Sequence, residues 1–235
     1  MQKPLSEYNS IVVLTGAGVS AESGLKTFRD NNGLWEGHDV SEVATPEAFE
    51  INPALVHSFY NARRNQLLEE AKPNLAHKSL SRFEAEFNGG FTLITQNVDN
   101  LHEQAGSQNV IHMHGELLQV RCINTGIVFQ WTEDLTTQTH CPCCKIAGSL
   151  RPNIVWFGEI PMHMHEIEEA LSHCDLFVSI GTSGNVYPAA GFVQLANAMG
   201  ATTLELNLEP SLTQSAFAFA HYGPATEIVP SYFSI

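Results

Sequence analysis

Four consecutive β-branched or aliphatic residues, Ile11-Val12-Val13-Leu14, lead through Thr15 into Gly16-Ala17-Gly18-Val19-Ser20-Ala21, and no other feature constrains the chain as much. An uninterrupted apolar run of this length reads as a parallel strand buried on both faces. The glycines permit a tight turn at its end, and the expectation is that their N–H groups are left free to face a phosphate. A Gly-x-Gly-x-x-Ala turn after a strand is shared by many nucleotide-binding proteins. A dinucleotide dehydrogenase would then enter a helix and a second strand ending in a ribose-binding acid. Here the chain continues Ser23-Gly24-Leu25-Lys26-Thr27-Phe28-Arg29-Asp30 and Asn31-Asn32-Gly33-Leu34-Trp35. That polar, glycine-broken stretch is expected to hold no strand and to fold as a loop over a dinucleotide.

Similar apolar runs recur at 91–95, 110–112, 176–180, 203–206 and 226–229, with helical stretches between them. The pattern predicts a doubly wound, Rossmann-like parallel sheet. Asn52 and Pro53 mark the start of a helix over 53–71, and a second helix is expected over 74–87, closed by Gly89-Gly90. Residues 117–151 break the alternation, being rich in turns and cysteine with short β-like runs at 118–121 and 126–131. The expected organisation is a Rossmann-like domain of residues 1–33, 74–116 and 152–235, a helical part over 34–73, and an inserted small module, zinc-ribbon-like, over 117–151.

A chain of 235 residues, 43% hydrophobic and 15% charged, suits one sizeable core with an appended module. The net charge of −14 argues against a nucleic-acid surface and fits either a cationic protein partner or solubility alone. No run is long enough to span a bilayer, and Met1-Gln2-Lys3-Pro4 opens no signal-peptide core, so no membrane association and a cytoplasmic location are expected. In a reducing compartment the five cysteines read as thiols or metal ligands.

Ligands of such sheets bind at the carboxyl ends of the strands. Gly16-Ala17-Gly18, Gln96-Asn97-Val98-Asp99, Gly181-Thr182-Ser183 and Asn207-Leu208-Glu209 each follow a predicted strand. His112 closes the 110–112 run, and His114 follows two residues on, past its end. His114, followed by Gly115 and near the Gln/Asn/Asp cluster, is the candidate general base.

In this order, Gly-Ala-Gly-x-Ser-x-x-Ser-Gly-x-x-Thr-Phe-Arg, Thr-Gln-Asn-x-Asp-x-Leu-His, His-Gly-Glu, Arg-Pro-x-x-Val-x-Phe-Gly-Glu and Gly-Thr-Ser resemble the sirtuins, NAD-dependent protein-lysine deacylases, and most nearly the bacterial class III members. The likeness runs from Ile11 to about Val229. It implies that an acyl-lysine carbonyl oxygen attacks C1′ of the nicotinamide ribose to give an alkylimidate, and that His114 then activates a ribose hydroxyl, with Asn97 and Asp99 completing the catalytic set. The implied products are free lysine, nicotinamide and 2′-O-acyl-ADP-ribose.

The resemblance further implies that NAD meets Gly16, Ala17, Gly18, Ala21, Thr27, Phe28, Arg29 and Trp35. Gln96, Asn97, Val98 and Asp99 would hold the ribose and carboxamide, Gly181, Thr182, Ser183, Asn207, Leu208 and Glu209 the rest of the dinucleotide, and Ala225 the adenine. The acyl-lysine protein substrate would lie extended between Phe157-Gly158-Glu159 and Gly184-Asn185-Val186. Tyr60 and Arg63, at i and i+3 of the predicted helix, match the Tyr-x-x-Arg of sirtuins that remove malonyl or succinyl groups. By spacing alone Arg64 is an equally available charge.

Sirtuins usually bind a structural zinc through two Cys-x-x-Cys pairs. Here Thr125 stands where the partner of Cys122 is expected, and Cys141-Pro142-Cys143-Cys144 offers three thiols. Cys122, Cys141 and Cys144 are the expected ligands, with Cys143 or His140 as fourth; alternatively the module holds together by packing without zinc. Cys174 reads as a core residue. Mono-ADP-ribosyl transfer and a non-enzymatic NAD- or ADP-ribose-binding module are the competing functions.

Overall fold

A computed structural model describes residues 3–25, the backbone of 34 and 35, and residues 37–234. In chain order the strands are β1 (Ser10–Thr15), β2 (Leu34–Trp35), β3 (His38–Asp39), β4 (Gly90–Thr95), β5 (Val110–His112), β6 (Gly115–Cys122), β7 (Val128–Gln130), β8 (Leu150–Ile154), β9 (Leu176–Ile180), β10 (Thr202–Asn207) and β11 (Phe219–Tyr222). The α-helices are α1 (Gly18–Ala21), α2 (Val40–Val43), α3 (Pro46–Ile51), α4 (Pro53–Glu69), α5 (Leu75–Glu86), α6 (Leu101–Ala105), α7 (Met164–His173), α8 (Phe192–Ala198) and α9 (Ala225–Tyr232).

Six strands form one sheet in the order β11-β10-β9-β1-β4-β5, and every neighbouring pair is parallel. The order reverses between β1 and β9, the crevice where sheets of this Rossmann-like type hold ligands. Alternation along β1 explains the layers. Ile11 and Val13 pack with Leu80 and Phe83 of α5 and Val229 of α9, whereas Val12 and Leu14 pack with Ile167 and Leu171 of α7 and Phe192 and Val193 of α8. A strand covered on both faces has no polar positions, which is why the run at 11–14 is unbroken.

Local chemistry sets the helix starts. Asn52 Oδ1 accepts the N–H of Leu55 at 3.1 Å ahead of Pro53, and Asn74 caps α5 in a reciprocal pair with His77. A third apolar cluster joins α2, α3 and α4 to Leu117, Ile154 and Trp156, so the helical segment leans on strands of the inserted sheet. That sheet, β7-β6-β8, is antiparallel, and its small core includes Val120, Cys122, Cys141 and Leu150. No helix among the described residues is long and apolar enough to cross a membrane.

Three local expectations are corrected. Residues 226–229 are not a strand but lie in α9, because Pro224 sets the helix entry and Val229 falls on the face that packs against the sheet. The sixth strand is instead the short edge strand β11, with no fully buried residue and hence a weak apolar signal. The pair Gly89-Gly90 does not cap α5, which ends on an extended Phe87. A Cβ on Gly89 would come within 2.5 Å of the Asn9 carbonyl, and Gly90 already pairs in β4. Leu34 and Trp35, expected in a loop, pair antiparallel with Asp39 and His38.

His57 in α4 is 2% exposed, sits edge-on to Phe49, and has a hydrogen-bond partner at neither ring nitrogen among the described residues. Burial, helped by the nearby Arg64 charge, pushes its pKa down to about 4. An unfolded histidine titrates near 6.5, so this depressed group stabilises the fold fully above about pH 6.5 and loses that contribution as pH falls toward 4. His57→Leu should match the parent in urea midpoint at pH 7.5 and recover up to ~2 kcal/mol of the stability the parent loses by pH 5. A variant as acid-sensitive as the parent would assign the loss to other groups.

Candidate active site

At the reversal of strand order the turn after β1 lies directly against the turn after β9. A Cβ on Gly16 would stand 2.8 Å from the Gly181 carbonyl oxygen, and one on Gly18 2.7 Å from the Gly181 Cα, while Gly181 itself takes a φ of +63°. Gly16 N–H donates to Ile180 O at 2.9 Å and Gly18 N–H to Gly181 O at 2.8 Å. These two N–H groups are therefore engaged between strands and do not face a phosphate. The glycines serve close backbone approach instead.

Above this contact opens a cavity of about 1010 Å³. Gly16, Ala17, Gly18 and Ala21 line it together with Gln96, Asn97, Val98, Asp99, His114, Gly181, Thr182, Ser183, Asn207, Leu208, Glu209 and Ala225. Tyr60, Arg63, Phe157, Gly158, Glu159 and Val186 complete its other end. Gly184 is not on the wall. It is buried at a φ of +71°, where a Cβ would meet Thr213 Oγ1 at 2.7 Å, so it shapes the turn that presents Val186. Thr27, Phe28 and Arg29 lie outside the described residues, as does the Trp35 side chain.

The polar floor is a connected network. Asn97 Nδ2 donates to Gly16 O and to Ser20 Oγ, both at 3.1 Å, and Ser20 Oγ donates to Asp99 Oδ2 at 3.1 Å. Asp99 Oδ1 accepts the N–H of Leu101 at the start of α6. Burial raises the Asp99 pKa, opposed by those two donors and by the His112 charge. Gln96 Nε2 donates to Thr182 Oγ1 at 3.0 Å, and Asn207 Nδ2 to Thr182 O at 2.7 Å. His114 Nδ1 lies 2.9 Å from Gln96 O, an acceptor only, so Nδ1 carries the proton and Nε2 keeps its lone pair. Burial lowers the His114 pKa, which keeps the ring neutral at pH 7. His112, at the end of β5, lines a different cleft.

At the other end Tyr60 is wholly buried, and burial pushes its phenol well above the ordinary value. Trp156 Nε1 donates to Tyr60 Oη at 3.0 Å. Arg63 lines the cavity with its guanidinium 4.9 Å from the Phe59 ring centre. Arg64 points away from the cavity and is fully buried, donating to Leu117 O, Asn61 Oδ1 and Glu133 O. Packing thus separates two arginines that spacing left equivalent. Glu159 touches the cavity, but its carboxylate takes both Arg151 nitrogens at 2.7 and 2.9 Å, Arg121 Nη2 at 2.9 Å and the Trp156 N–H at 2.8 Å. Burial raises its pKa, and these donors more than reverse the effect. It fixes the turn that carries Trp156 and Phe157.

In the module the sulfurs of Cys122, Cys141, Cys143 and Cys144 all lie within 4.8 Å of one another, Cys122 to Cys144 being 3.7 Å. Tetrahedral zinc at ~2.3 Å from each thiolate requires sulfurs roughly 3.8 Å apart, so the donor set fits that ion. Cys143 Sγ sits 3.2 Å from Thr125 Oγ1, where the missing thiol would stand. His140 is outside the cluster, so Cys143 is the fourth group. Cys174 is buried in the core between α7 and β9.

Ser20 and Trp156 were given no role by sequence reasoning. The signal for Ser20 was its fixed place in the Gly-Ala-Gly-x-Ser motif; for Trp156, its place beside Phe157.

A profile described as the Sir2 family matches residues 16–188. A Pasteurella multocida protein named NAD-dependent protein deacylase is 59% identical over 94% of this chain and 95% of its own length. One of the same name from Salmonella typhimurium is 55% identical over 97% of this chain and 84% of its own. The fold superposes with a TM-score of 0.89 on a solved Sir2 homologue–NAD complex, 35% identical, covering 97% of this chain and 89% of that one.

Proposed function

The chain belongs to the Sir2 family, and on that premise we propose that it removes acetyl, succinyl and malonyl groups from protein lysines with consumption of NAD, yielding nicotinamide and 2′-O-acyl-ADP-ribose. The general activity, NAD-dependent protein-lysine deacylation, follows from the family and from relatives that carry that name over nearly their whole length. The observation that carries it is a neutral histidine, His114, whose Nδ1–H is engaged by Gln96 O, leaving Nε2 as a base at the wall of a cavity floored by Gln96, Asn97 and Asp99.

NAD, when bound, supplies an electrophilic ribose carbon whose leaving group is nicotinamide. The residues fit such a ligand. The glycine contact keeps the sheet edge low enough for a dinucleotide backbone, and Asn97 and Asp99, pinned by Ser20, present short polar groups of fixed orientation. Gly181, Thr182, Ser183, Asn207, Leu208, Glu209 and Ala225 extend the same wall toward the adenosine half. His114 takes a proton from a ribose hydroxyl. The acyl-lysine segment lies between residues 157–159 and 184–186, and the −14 charge favours lysine-rich partners. His114→Ala should fold and bind NAD while losing ~10²–10⁴-fold in acyl-lysine turnover. Near-parental turnover would remove His114 from the chemistry.

Acidic acyl groups are read from the far end of the cavity. Arg63 is a cationic fork and Tyr60 a phenol whose oxygen is fixed by the Trp156 N–H, together suited to a carboxylate. Hydrogen bonds to a charged group contribute ~1.5–3 kcal/mol, so Arg63→Met should lower desuccinylation kcat/KM by about one to two orders of magnitude. Deacetylation of the same peptide should persist. An equal fall in both would place Arg63 in the helix or the NAD site instead.

We assign one structural zinc to Cys122, Cys141, Cys143 and Cys144. Elemental analysis should find one zinc per chain, and Cys143→Ser should lower both zinc content and melting temperature. Protein free of zinc whose melting is indifferent to a chelator would show that packing alone holds the module.

A further inference from the structure

The segment 96–99 is gripped by the chain that follows it. Three successive carbonyls meet groups from residues 112–117: Gln96 O meets His114 Nδ1 at 2.9 Å, Asn97 O meets His112 Nδ1 at 3.4 Å, and Val98 O accepts the Leu117 N–H at 2.8 Å. The two histidines, one at the end of β5 and one two residues beyond it, hold adjacent peptide groups. His114 belongs to the cavity already described. His112 does not; it is 8% exposed at the edge of a separate cleft of about 760 Å³. Its Nε2 lies 2.6 Å from Glu103 Oε1 on α6, the helix that begins two residues after Asp99.

We propose that His112 and Glu103 form a clip in which His112 acts as a positioning residue, holding the Asn97 carbonyl so that the 96–99 segment keeps its shape beneath the ribose. The inference rests on the reading of the large cavity as the NAD site.

Both partners of the imidazole are acceptors only, a peptide carbonyl and a carboxylate, so both contacts exist together only when each ring nitrogen carries a proton. The surroundings agree. Burial opposes the charge on His112, but Glu103 at hydrogen-bond distance, Glu116 on β6 and the Asn97 carbonyl outweigh it and raise the pKa. The neighbouring titratable groups respond to that charge. It helps to keep Asp99 ionised and His102 on α6 neutral. Across the cleft stand Arg121 and Arg151, both paired with Glu159, and His163, paired with Glu166. Two histidines two residues apart are thus driven to opposite states, one a neutral base and one a cationic clip.

Deprotonation reverses the contact at Asn97. The remaining proton stays on Nε2, where the carboxylate binds it most strongly, and the lone pair of Nδ1 then faces the Asn97 oxygen. The clip is complete below the raised pKa of His112 and opens as pH climbs through it. Glu103→Gln changes that dependence and not the shape. An amide can donate to Nε2, which leaves a neutral ring free to keep its proton on Nδ1 toward Asn97 at any pH. Glu103 is 38% exposed on a short surface helix, so the substitution spares the core.

The test joins two measurements on the intact enzyme. Nitrogen NMR of the imidazoles at pH 7 should find both nitrogens of His112 protonated and those of His114 singly protonated. In the parent, KM for NAD should rise about three- to tenfold as pH climbs through the His112 titration, the worth of one hydrogen bond. In Glu103→Gln that rise should disappear while the acid limb set by His114 stays in place. A merely structural ion pair would lower melting temperature and leave the alkaline limb where it was. A singly protonated His112 at pH 7, or an alkaline rise that survives in Glu103→Gln, overturns the clip. Absence of NAD-dependent turnover in the parent overturns the functional reading, and the NMR result stands apart from it.

Discussion

Two backbones touching at the point where the strand order reverses set the geometry of everything above them. Gly16, Gly18 and Gly181 let the turns after β1 and β9 meet with no side chain between, sealed by the hydrogen bonds Gly16 N–H to Ile180 O and Gly18 N–H to Gly181 O. A methyl group at Gly16 or Gly18 would have to displace backbone rather than a flexible side chain, and such overpacking costs ~1–3 kcal/mol or more. Amide side chains from neighbouring strands then anchor to this contact. Asn97 donates to Gly16 O, and Gln96 and Asn207 both reach Thr182. The reacting groups are therefore indexed to the sheet.

The far end of the cavity is built differently. It depends on α4 and on the turn after β8, two pieces of chain far apart in sequence that meet in the cluster containing Tyr60 and Trp156. Arg151 stacks 3.3 Å from the Trp156 ring while its fork binds Glu159, and Glu159 in turn holds the Trp156 N–H. The indole is fixed by this arrangement, and the indole orients the Tyr60 oxygen. A buried arginine–carboxylate pair is expensive to desolvate, and here its return is orientation of a neighbour. Arg64 ties the same helix to β6 through the Leu117 carbonyl, so the wall is anchored to the inserted sheet.

The central strands were legible in the sequence because burial leaves an unbroken aliphatic run at 11–14 and predominantly apolar runs at 91–95 and 176–180. Helix starts were legible because Asn52 and Asn74 cap through contacts only a few residues long. The polar motifs at strand ends were legible as a set, since one topology brings them to one edge. What escaped was tertiary. Residues 226–229 have strand-like side chains, yet Pro224 and a neighbouring helix face make them helical. Arg63 and Arg64 differ by one residue in sequence and wholly in burial. Glu159 lines the cavity as expected, but its carboxylate is also held by Arg121 and Arg151, a pairing that no local pattern announces. The use of the glycine N–H groups was misjudged for the same reason: their partners come from β9, more than a hundred and sixty residues away in the chain.

The central claim is that one cavity joins acyl transfer to NAD with recognition of a charged acyl group. Mass spectrometry of the products formed from a succinyl-lysine peptide and NAD tests it most directly. The account predicts deacylated peptide, nicotinamide and succinyl-ADP-ribose in equal amounts. Free succinate with NAD left intact, or ADP-ribose attached to the peptide, would contradict it.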